Sequence, residues 1–487
     1  MLTPFKLLFL PLLALPIFSA EKPNIILVLT DDQGYGDVAA HGHPFIKTPN
    51  IDALHAKSVR LTNFHVSPTC APTRAALMSG MSPFKVGVTH TVFERERMAL
   101  GYETVAGVLK TAGYQTGIFG KWHLGDADEY QPGRRGFDEV FIHGAGGIGQ
   151  RFPGSQGAVP GTSYFGPIIR HNGTFVKTEG YCTDVFFQQA LGWMKEKSDE
   201  KEPFFAYLAT NAPHSPYIAP QEYESLYDDK EPNKKSSIFF GMITNIDDNM
   251  GLLMKKLKDW DIEENTVLIF MTDNGSARGA PVFNAGMKGK KGSLHEGGSR
   301  VPFFWYWKGR HEGGTDLETL GRHLDLLPTL AELTGAKLPE KNVAEGRSLY
   351  AAIEGKDEER ELPQRYLFFH YGRWLGLKDF KANPKMKAPN PDDFRDTLYA
   401  VRDEKWRLVE GQLFDLEVDP GETTDVAAGH PEVVAKMKAA YDVWWQESRP
   451  GMVNETANLN TGKPFVEAFK KQKEEEGLPA WENPRID

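Results

Sequence analysis

Four separate runs of apolar residues organise the first part of the chain, and each ends on polar side chains capable of chemistry. Asn24 to Thr30 runs into Asp31-Asp32, and Thr116 to Phe119 runs into Lys121 and His123. Phe204 to Ala209 leads through Asn211-Ala212-Pro213 to His214, and Thr266 to Thr272 leads into Asp273-Asn274-Gly275. Short unbroken runs rich in Ile, Val and Phe suit strands buried on both faces of a parallel sheet. Helical periodicity lies between them, over Thr104 to Ala112 and Ile238 to Leu257. The alternation predicts an α/β fold, a mostly parallel sheet sandwiched by helices, whose ligands gather beyond the carboxyl ends of the strands. The four polar clusters would then share one mouth.

After about Glu361 the pattern shortens to alternating segments, Leu398 to Arg402, Trp406 to Glu410 and Gln412 to Leu416, broken by Asp403-Glu404 and Asp419-Pro420-Gly421. These predict an antiparallel meander. Beyond Pro431, residues Val433, Val434, Met437, Tyr441, Trp444 and Trp445 fall on one helical face, a stripe that reads as packing. The chain therefore divides into a main domain over 21–360 and a smaller C-terminal α+β subdomain over 361–487, with the residues after Arg449 a polar wrap or a loose end. Gly144 to Gly161, punctuated by Gly and Pro, reads as a long loop of the kind that carries specificity.

Composition narrows the class. With 40% hydrophobic and 25% charged residues the chain is of ordinary globular type. Residues 1–20 place Lys6 beside the apolar run Leu7 to Phe18 and end on Ser19 and Ala20, the pattern of a cleaved secretory signal. Pro11 and Pro16 interrupt that run, which is too short for a membrane span, and no second candidate follows. The mature chain is expected to be secreted or periplasmic without a membrane span. A formal net charge of -10 argues against nucleic acid as a partner, so any anionic substrate must be held by local cations. Cys70 and Cys182 are the only cysteines, and in an oxidising compartment they would pair unless one is chemically spent.

Adjacent carboxylates at the end of a buried strand raise each other's pKa unless a cation neutralises them. Asp31, Asp32, Asp273 and Asn274 offer only oxygen ligands, which favours calcium or magnesium over zinc. Either pair alone could equally cap a helix or form a turn. Cys70-Ala71-Pro72-Thr73-Arg74 likewise could be a small cysteine beside a helix start.

Taken in order, these pieces resemble the formylglycine-dependent sulfatases of the alkaline phosphatase superfamily. The likeness runs through Pro23-Asn24-Ile25 and Thr30 to Asp37, Thr48 to Leu54, Cys70 to Arg74, Gly120-Lys121-Trp122-His123-Leu124-Gly125, Ala212-Pro213-His214, Thr272 to Gly275, Lys291-Gly292 and Glu296 to Pro302, covering essentially the whole chain. The resemblance implies an alkaline-phosphatase-like fold and a calcium ion held by Asp31, Asp32, Asp273 and Asn274 and closed by residue 70. It implies that a separate maturation enzyme oxidises Cys70 to formylglycine; Thr73 stands where serine is commoner, while Cys70, Pro72 and Arg74 are intact. It also implies that Lys121 and Lys291 grip the sulfate, Arg74 holds the hydrated aldehyde, His123 helps deprotonate its second hydroxyl and His214 protonates the departing alcohol. Lys288 and Lys290 flank Lys291, and the following Gly292 and Glu296-Gly297-Gly298 select Lys291.

Substrate choice is written more faintly. The candidate loops are Phe141 to Gly166 and His370 to Arg395, where His143, Arg151, His370 and Arg373 could hydrogen-bond a sugar and Tyr164, Tyr371 and Trp374 could stack on one. The resemblance points to sulfated polysaccharides or oligosaccharides. The rival readings are a phosphodiesterase or phosphonate monoester hydrolase of the same superfamily and a carbohydrate-binding homologue that has lost catalysis.

Overall fold

The computed structural model describes residues 22–91, 96–150, 157–230, 233–341, 344–356, 364–374, 390–452 and 462–487. Residues 1–20 and Arg151 therefore lie outside the described residues. The apolar runs form strands β1 (Asn24–Thr30), β4 (Gln115–Lys121), β8 (Phe204–Ala209) and β9 (Thr266–Thr272), the core of a ten-stranded sheet. The sheet also holds β2 (Val59–Leu61), β5 (Glu139–His143), β6 (Ile168–His171), β7 (Thr174–Lys177), β10 (Phe303–Trp307) and β11 (Thr315–Leu317), in the order β11-β2-β10-β9-β1-β8-β4-β5-β6-β7. The five strands from β9 to β5 are mutually parallel, whereas β10 pairs antiparallel with β9, and β6 with β5. The sheet is thus mixed and mostly parallel, and a separate parallel pair is formed by β3 (Phe64–His65) and β12 (Gly321–Arg322).

Continuous hydrophobicity has a plain cause here. Ile25, Leu27 and Leu29 pack into the core on one side of β1, while Ile26 and Val28 pack into the core on the other. Helices α1 (Pro49–Lys57), α2 (Cys70–Ser79), α3 (Val105–Lys110) and α4 (Cys182–Glu200) cover these faces, with the long helix Lys234–Asp259. All ten residues of α2 are buried. Its Ala71, Ala75, Leu77 and Met78 pack on the Leu27 side, whereas Cys182 belongs to the Ile26 side. Cys70 and Cys182 are accordingly free thiols on opposite faces, not joined by a disulfide, as a separate chemical role for Cys70 requires.

The meander is a four-stranded antiparallel sheet, β13 (Leu367–His370), β14 (Tyr399–Arg402), β15 (Trp406–Val409) and β16 (Gln412–Asp415), in chain order. Helix Pro431–Ser448 lays Met437, Tyr441, Trp444 and Trp445 against Val401, Leu408 and Leu413. The sheet's other face meets Leu294 and Leu320 of the main domain. Of the two alternatives, the C-terminal segment is the wrap, but one anchored by apolar side chains. Phe465 and Phe469 of helix Pro464–Glu475 join the main core, and the Trp481 indole donates to Gln189 on α4 at 2.8 Å, so this stretch is neither loose nor part of the small unit. Among the described residues no helix is long and apolar enough to cross a membrane.

Candidate active site

Parallel pairing in register brings the acidic endings together. Thr30 of β1 lies opposite Thr272 of β9, so Asp31-Asp32 and Asp273-Asn274 leave the sheet side by side. The Asp32 amide donates to Asp273 Oδ1 at 3.2 Å. Asp32 turns at φ 71° and His123 at φ 60°, left-handed conformations that reverse the chain just past the sheet. Such conformations are costly for most side chains, Asp and His being among the tolerant ones, and they cluster at functional sites. α2 opens with Cys70 at this end of the sheet and carries Arg74 one turn later.

Three buried acids meet three cations. Arg74 donates through Nε (3.1 Å) and Nη2 (2.7 Å) to Asp273 Oδ2, and through Nη1 to the Lys121 carbonyl at 3.1 Å. Lys121 Nζ lies 2.6 Å from Asp31 Oδ2, and Lys291 Nζ lies 2.5 Å from Asp32 Oδ1. Of the flanking lysines, Lys288 turns away to the Glu422 carbonyl and the Phe414 ring. The pairing is nevertheless incomplete. Asp31 Oδ1 and Asn274 Oδ1 are buried without a hydrogen-bond partner. Burial, then the nearby Asp273 and Asp32, push the Asp31 carboxyl well above the usual range, against the pull of Lys121. Burial would raise Asp32 too, but Lys291 and His214 hold it below the usual range. The Cys70 thiol is pushed up by burial, with Lys121 and Lys291 opposing. Its sulfur and oxygens of Asp31 and Asp273 lie within 4.8 Å of one another. Asp31 and Asp32 also lie within that distance of a His214 nitrogen, but carboxylate oxygens predominate and two oxygens are bare, a donor set that suits a hard dication such as calcium.

Two histidines flank this cluster. The His214 Nδ1 donates to the Ser215 carbonyl at 2.6 Å, which leaves Nε2 facing Asp32 Oδ2 at 3.9 Å and within 3.4 Å of the Gln150 amide. Burial depresses its pKa to about 3, with Asp32 opposing. His123 is depressed well below the usual range by burial and then by Lys121 and Arg74. Its Nε2 lies 3.5 Å from Glu96 Oε2, a carboxylate as buried as the ring. Glu96 escaped the sequence reading because Glu94-Arg95-Glu96-Arg97 looks like a solvated charged stretch; the only signal was its proximity to the apolar Met98-Ala99-Leu100.

The substrate candidates fare unevenly. His370 is withdrawn from the surface: its Nδ1 accepts from the Gly372 amide at 2.8 Å, its Nε2 donates to the Phe394 carbonyl at 3.1 Å, and its ring packs on Trp374 and Trp445. Trp374 is likewise buried in the small unit's core, and the Tyr164 hydroxyl braces the His214 loop by donating to its carbonyl. The sequence does not distinguish these three from surface contacts, because polar-aromatic loops and half-open cores share a composition. His143, at the end of β5 beside Lys121 in register, is buried against Phe186 and donates through Nδ1 to the Gly144 carbonyl. Arg373 and Tyr371 are half-buried, and a Cβ on Gly292 would stand 3.4 Å from the Tyr371 ring, which places that tyrosine next to the Lys291 loop.

Fold and sheet-end site together define a member of the alkaline phosphatase superfamily. Residues 23–336 match the family model described as Sulfatase. The chain is 31% identical to the N-acetylgalactosamine-6-sulfatase of Canis lupus familiaris, over 93% of this chain and 92% of that one. It is 29% identical to Arylsulfatase A of Homo sapiens, over 88% of each. The crystal structure of Ps i-CgsB in complex with k-i-k-neocarrahexaose superposes with a TM-score of 0.74 at 29% identity, covering 89% of this chain and 95% of that one. The chain belongs to the sulfatase family and is a sulfuric ester hydrolase.

Proposed function

We propose that this sulfatase releases sulfate from sulfated polysaccharides or oligosaccharides, after export and removal of residues 1–20, using Cys70 matured to formylglycine and a calcium ion held by Asp31, Asp32, Asp273, Asn274 and residue 70. The observation that carries the reading is the closure of three acids and three cations around Cys70 with buried oxygens left bare. The carbohydrate preference is supported by the sugar named in the canine relative and by the oligosaccharide in the Ps i-CgsB complex.

A maturation enzyme would convert Cys70 to the aldehyde, whose hydrate carries two hydroxyls on one carbon: one would displace the alcohol at sulfur, and the other would expel sulfate from carbon as the aldehyde re-forms. Calcium would neutralise the carboxylates and polarise the sulfuryl oxygens and the attacking hydroxyl. Lys121 and Lys291 supply positive charge where sulfuryl oxygens would lie; burial keeps water from screening Lys121, while Lys291 is partly exposed at the mouth. Arg74, fixed between Asp273 and the Lys121 carbonyl, holds the geometry around position 70. His214 presents Nε2 inward; an anionic ester bound beside it favours the protonated ring, which delivers its proton to the alcohol oxygen as the S–O bond breaks. His123, backed by Glu96, takes the proton from the second hydroxyl as the carbonyl re-forms and the C–O bond to sulfate breaks. His143, Arg373 and, outside the described residues, Arg151 remain candidates for sugar contacts.

Inorganic sulfate release from defined sulfated oligosaccharides, compared with hydrolysis of matched aryl sulfate, phosphate diester and phosphonate, tests the function. Sulfate esters are expected to dominate, with mass analysis showing the aldehyde at residue 70 after coexpression with a maturation enzyme. Dominant phosphorus activity, or a Cys70→Ser variant as fast as the matured enzyme, would defeat it.

A further inference from the structure

The three cations inside the site are each committed to a carboxylate, but a fourth stands at its rim. Arg278 forms no salt bridge among the described residues, and its guanidinium lies 5.2 Å over the ring of Tyr217. The two residues come from the loops that build the site. Tyr217 follows His214 by three residues, and Arg278 follows Asn274 by four. Their placement is fixed. The Ala277 amide donates to the Asp32 carbonyl at 3.0 Å, the Lys291 amide donates to the Ser276 carbonyl at 3.1 Å, and Ser276 Oγ accepts from the Gly279 amide at 2.8 Å. The turn bearing Arg278 is therefore pinned between Asp32 and Lys291. Tyr217 is wedged edge-to-face against Phe239, so the platform under the guanidinium is fixed as well. Burial raises the Tyr217 phenol, and Arg278, Asp32 and Lys291 all act on it, consistent with a position beside the site.

A guanidinium carries five N–H donors, so Arg278, whose side chain also hydrogen-bonds that of Tyr217, keeps donors for an acceptor at its edge. Both residues are half-buried, unlike Arg74 and Lys121, which are sealed inside. The inner acids and cations already balance one another, so Arg278 adds a positive charge that the scissile sulfate does not claim. We propose that Arg278, braced on Tyr217, binds a second anionic group, a carboxylate or a further sulfate, on the saccharide that carries the scissile sulfate. This subsite rests on the carbohydrate sulfatase reading and makes the enzyme prefer polyanionic sugars over singly sulfated neutral ones.

The test compares an aryl sulfate, a neutral monosulfated disaccharide, a monosulfated disaccharide bearing a uronate and a neutral disulfated disaccharide. In the matured wild-type enzyme kcat/KM is expected to be about tenfold or more higher on at least one doubly anionic sugar than on the neutral one, through KM. The uronate and disulfate arms show which oxyanion is recognised. Arg278→Ala should bring that ratio to within about twofold of unity and leave aryl sulfate turnover unchanged, and Arg278→Lys should restore only part of the preference. No preference in the wild type, or an undiminished one in Arg278→Ala, overturns the proposal. Loss of all sugar turnover with aryl sulfate hydrolysis intact would instead remove the carbohydrate reading. Calorimetric binding of the two doubly anionic disaccharides to Cys70→Ala protein reads the subsite without turnover, and equal affinity with and without Arg278→Ala overturns it in every case.

Discussion

Two buried charge clusters lie near each other in this protein and differ in one respect: one is saturated with partners and the other is not. Glu296 accepts from His65 Nε2 at 3.1 Å, Arg402 Nε at 3.0 Å and Arg407 Nη1 at 2.5 Å, and Glu422 closes the cluster by accepting from the Glu296 amide at 2.8 Å. This cluster joins the main domain to the small sheet. Burial alone would raise Glu296, but Arg402, His65 and Arg407 hold it well below the usual range. In the sheet-end cluster Asp31 is displaced in the opposite direction and oxygens stay bare. A satisfied network defines a packing, whereas an unsatisfied one keeps electrostatic potential in reserve for a ligand. The contrast separates structural from functional burial without reference to any relative.

The largest effect expected is on turnover. Asp31→Asn keeps the shape and an acceptor for Lys121 but removes a charge that its neighbours already disfavour. Sulfate ester hydrolysis should fall by about a thousandfold or more, while the melting temperature of chelator-treated protein stays within a degree or two. A large loss of stability in that variant would mean that Asp31 serves the fold. The converse change is Glu296→Ala, which strands Arg402 and Arg407 in the interior. It should cost about 3–5 kcal/mol of unfolding free energy, read by urea denaturation, and a loss below 1 kcal/mol would show the saturated cluster to be dispensable.

Calcium sharpens the same comparison with a smaller effect. Calcium at a hundredfold excess over its dissociation constant should stabilise the wild-type fold by about 2.7 kcal/mol. That gain should vanish in Asp31→Asn and persist in a variant of the saturated cluster such as His65→Gln. Calcium stabilisation retained by Asp31→Asn would move the metal elsewhere.

What could be read in advance divides along the same line. Asp31, Asp32, Asp273 and Asn274 were legible because each follows a strand whose continuous hydrophobicity is a local signal, and parallel pairing makes neighbouring strand ends converge. Strands β1, β8 and β9 appear with the boundaries the apolar runs suggest. The Glu296 cluster was not legible as a cluster, because Arg402 and Arg407 stand 106 and 111 residues away and no periodicity links charges at that range. Phe465 and Phe469 were overlooked for a related reason: two aromatics in a lysine- and glutamate-rich helix make too narrow a stripe to announce a return to the main core. Glu96 hid among alternating charges that ordinarily belong to a solvated face.

The smallest effect concerns pH, and it isolates the saturated cluster. Burial, together with the charges of Arg402 and Arg407, depresses the His65 ring to about 4 despite the pull of Glu296. In the unfolded chain this histidine takes up a proton near pH 6.5, whereas in the folded protein it does so only near pH 4. Its contribution to stability is therefore complete above pH 6.5 and is lost as pH falls toward 4. Glu296, depressed below its ordinary 4.5, adds a loss in the same direction once pH drops under that value. Unfolding free energy of chelated protein should thus decline with acidification at up to about 1.4 kcal/mol per pH unit from His65. His65→Gln removes the titrating ring while keeping a donor for Glu296, so its stability should be flatter between pH 6.5 and 4.5 and still fall below 4.5. Parallel wild-type and variant profiles throughout that upper interval would show that the His65 ring is already protonated in the fold, and that the two arginines do not exclude a third positive charge from the cluster.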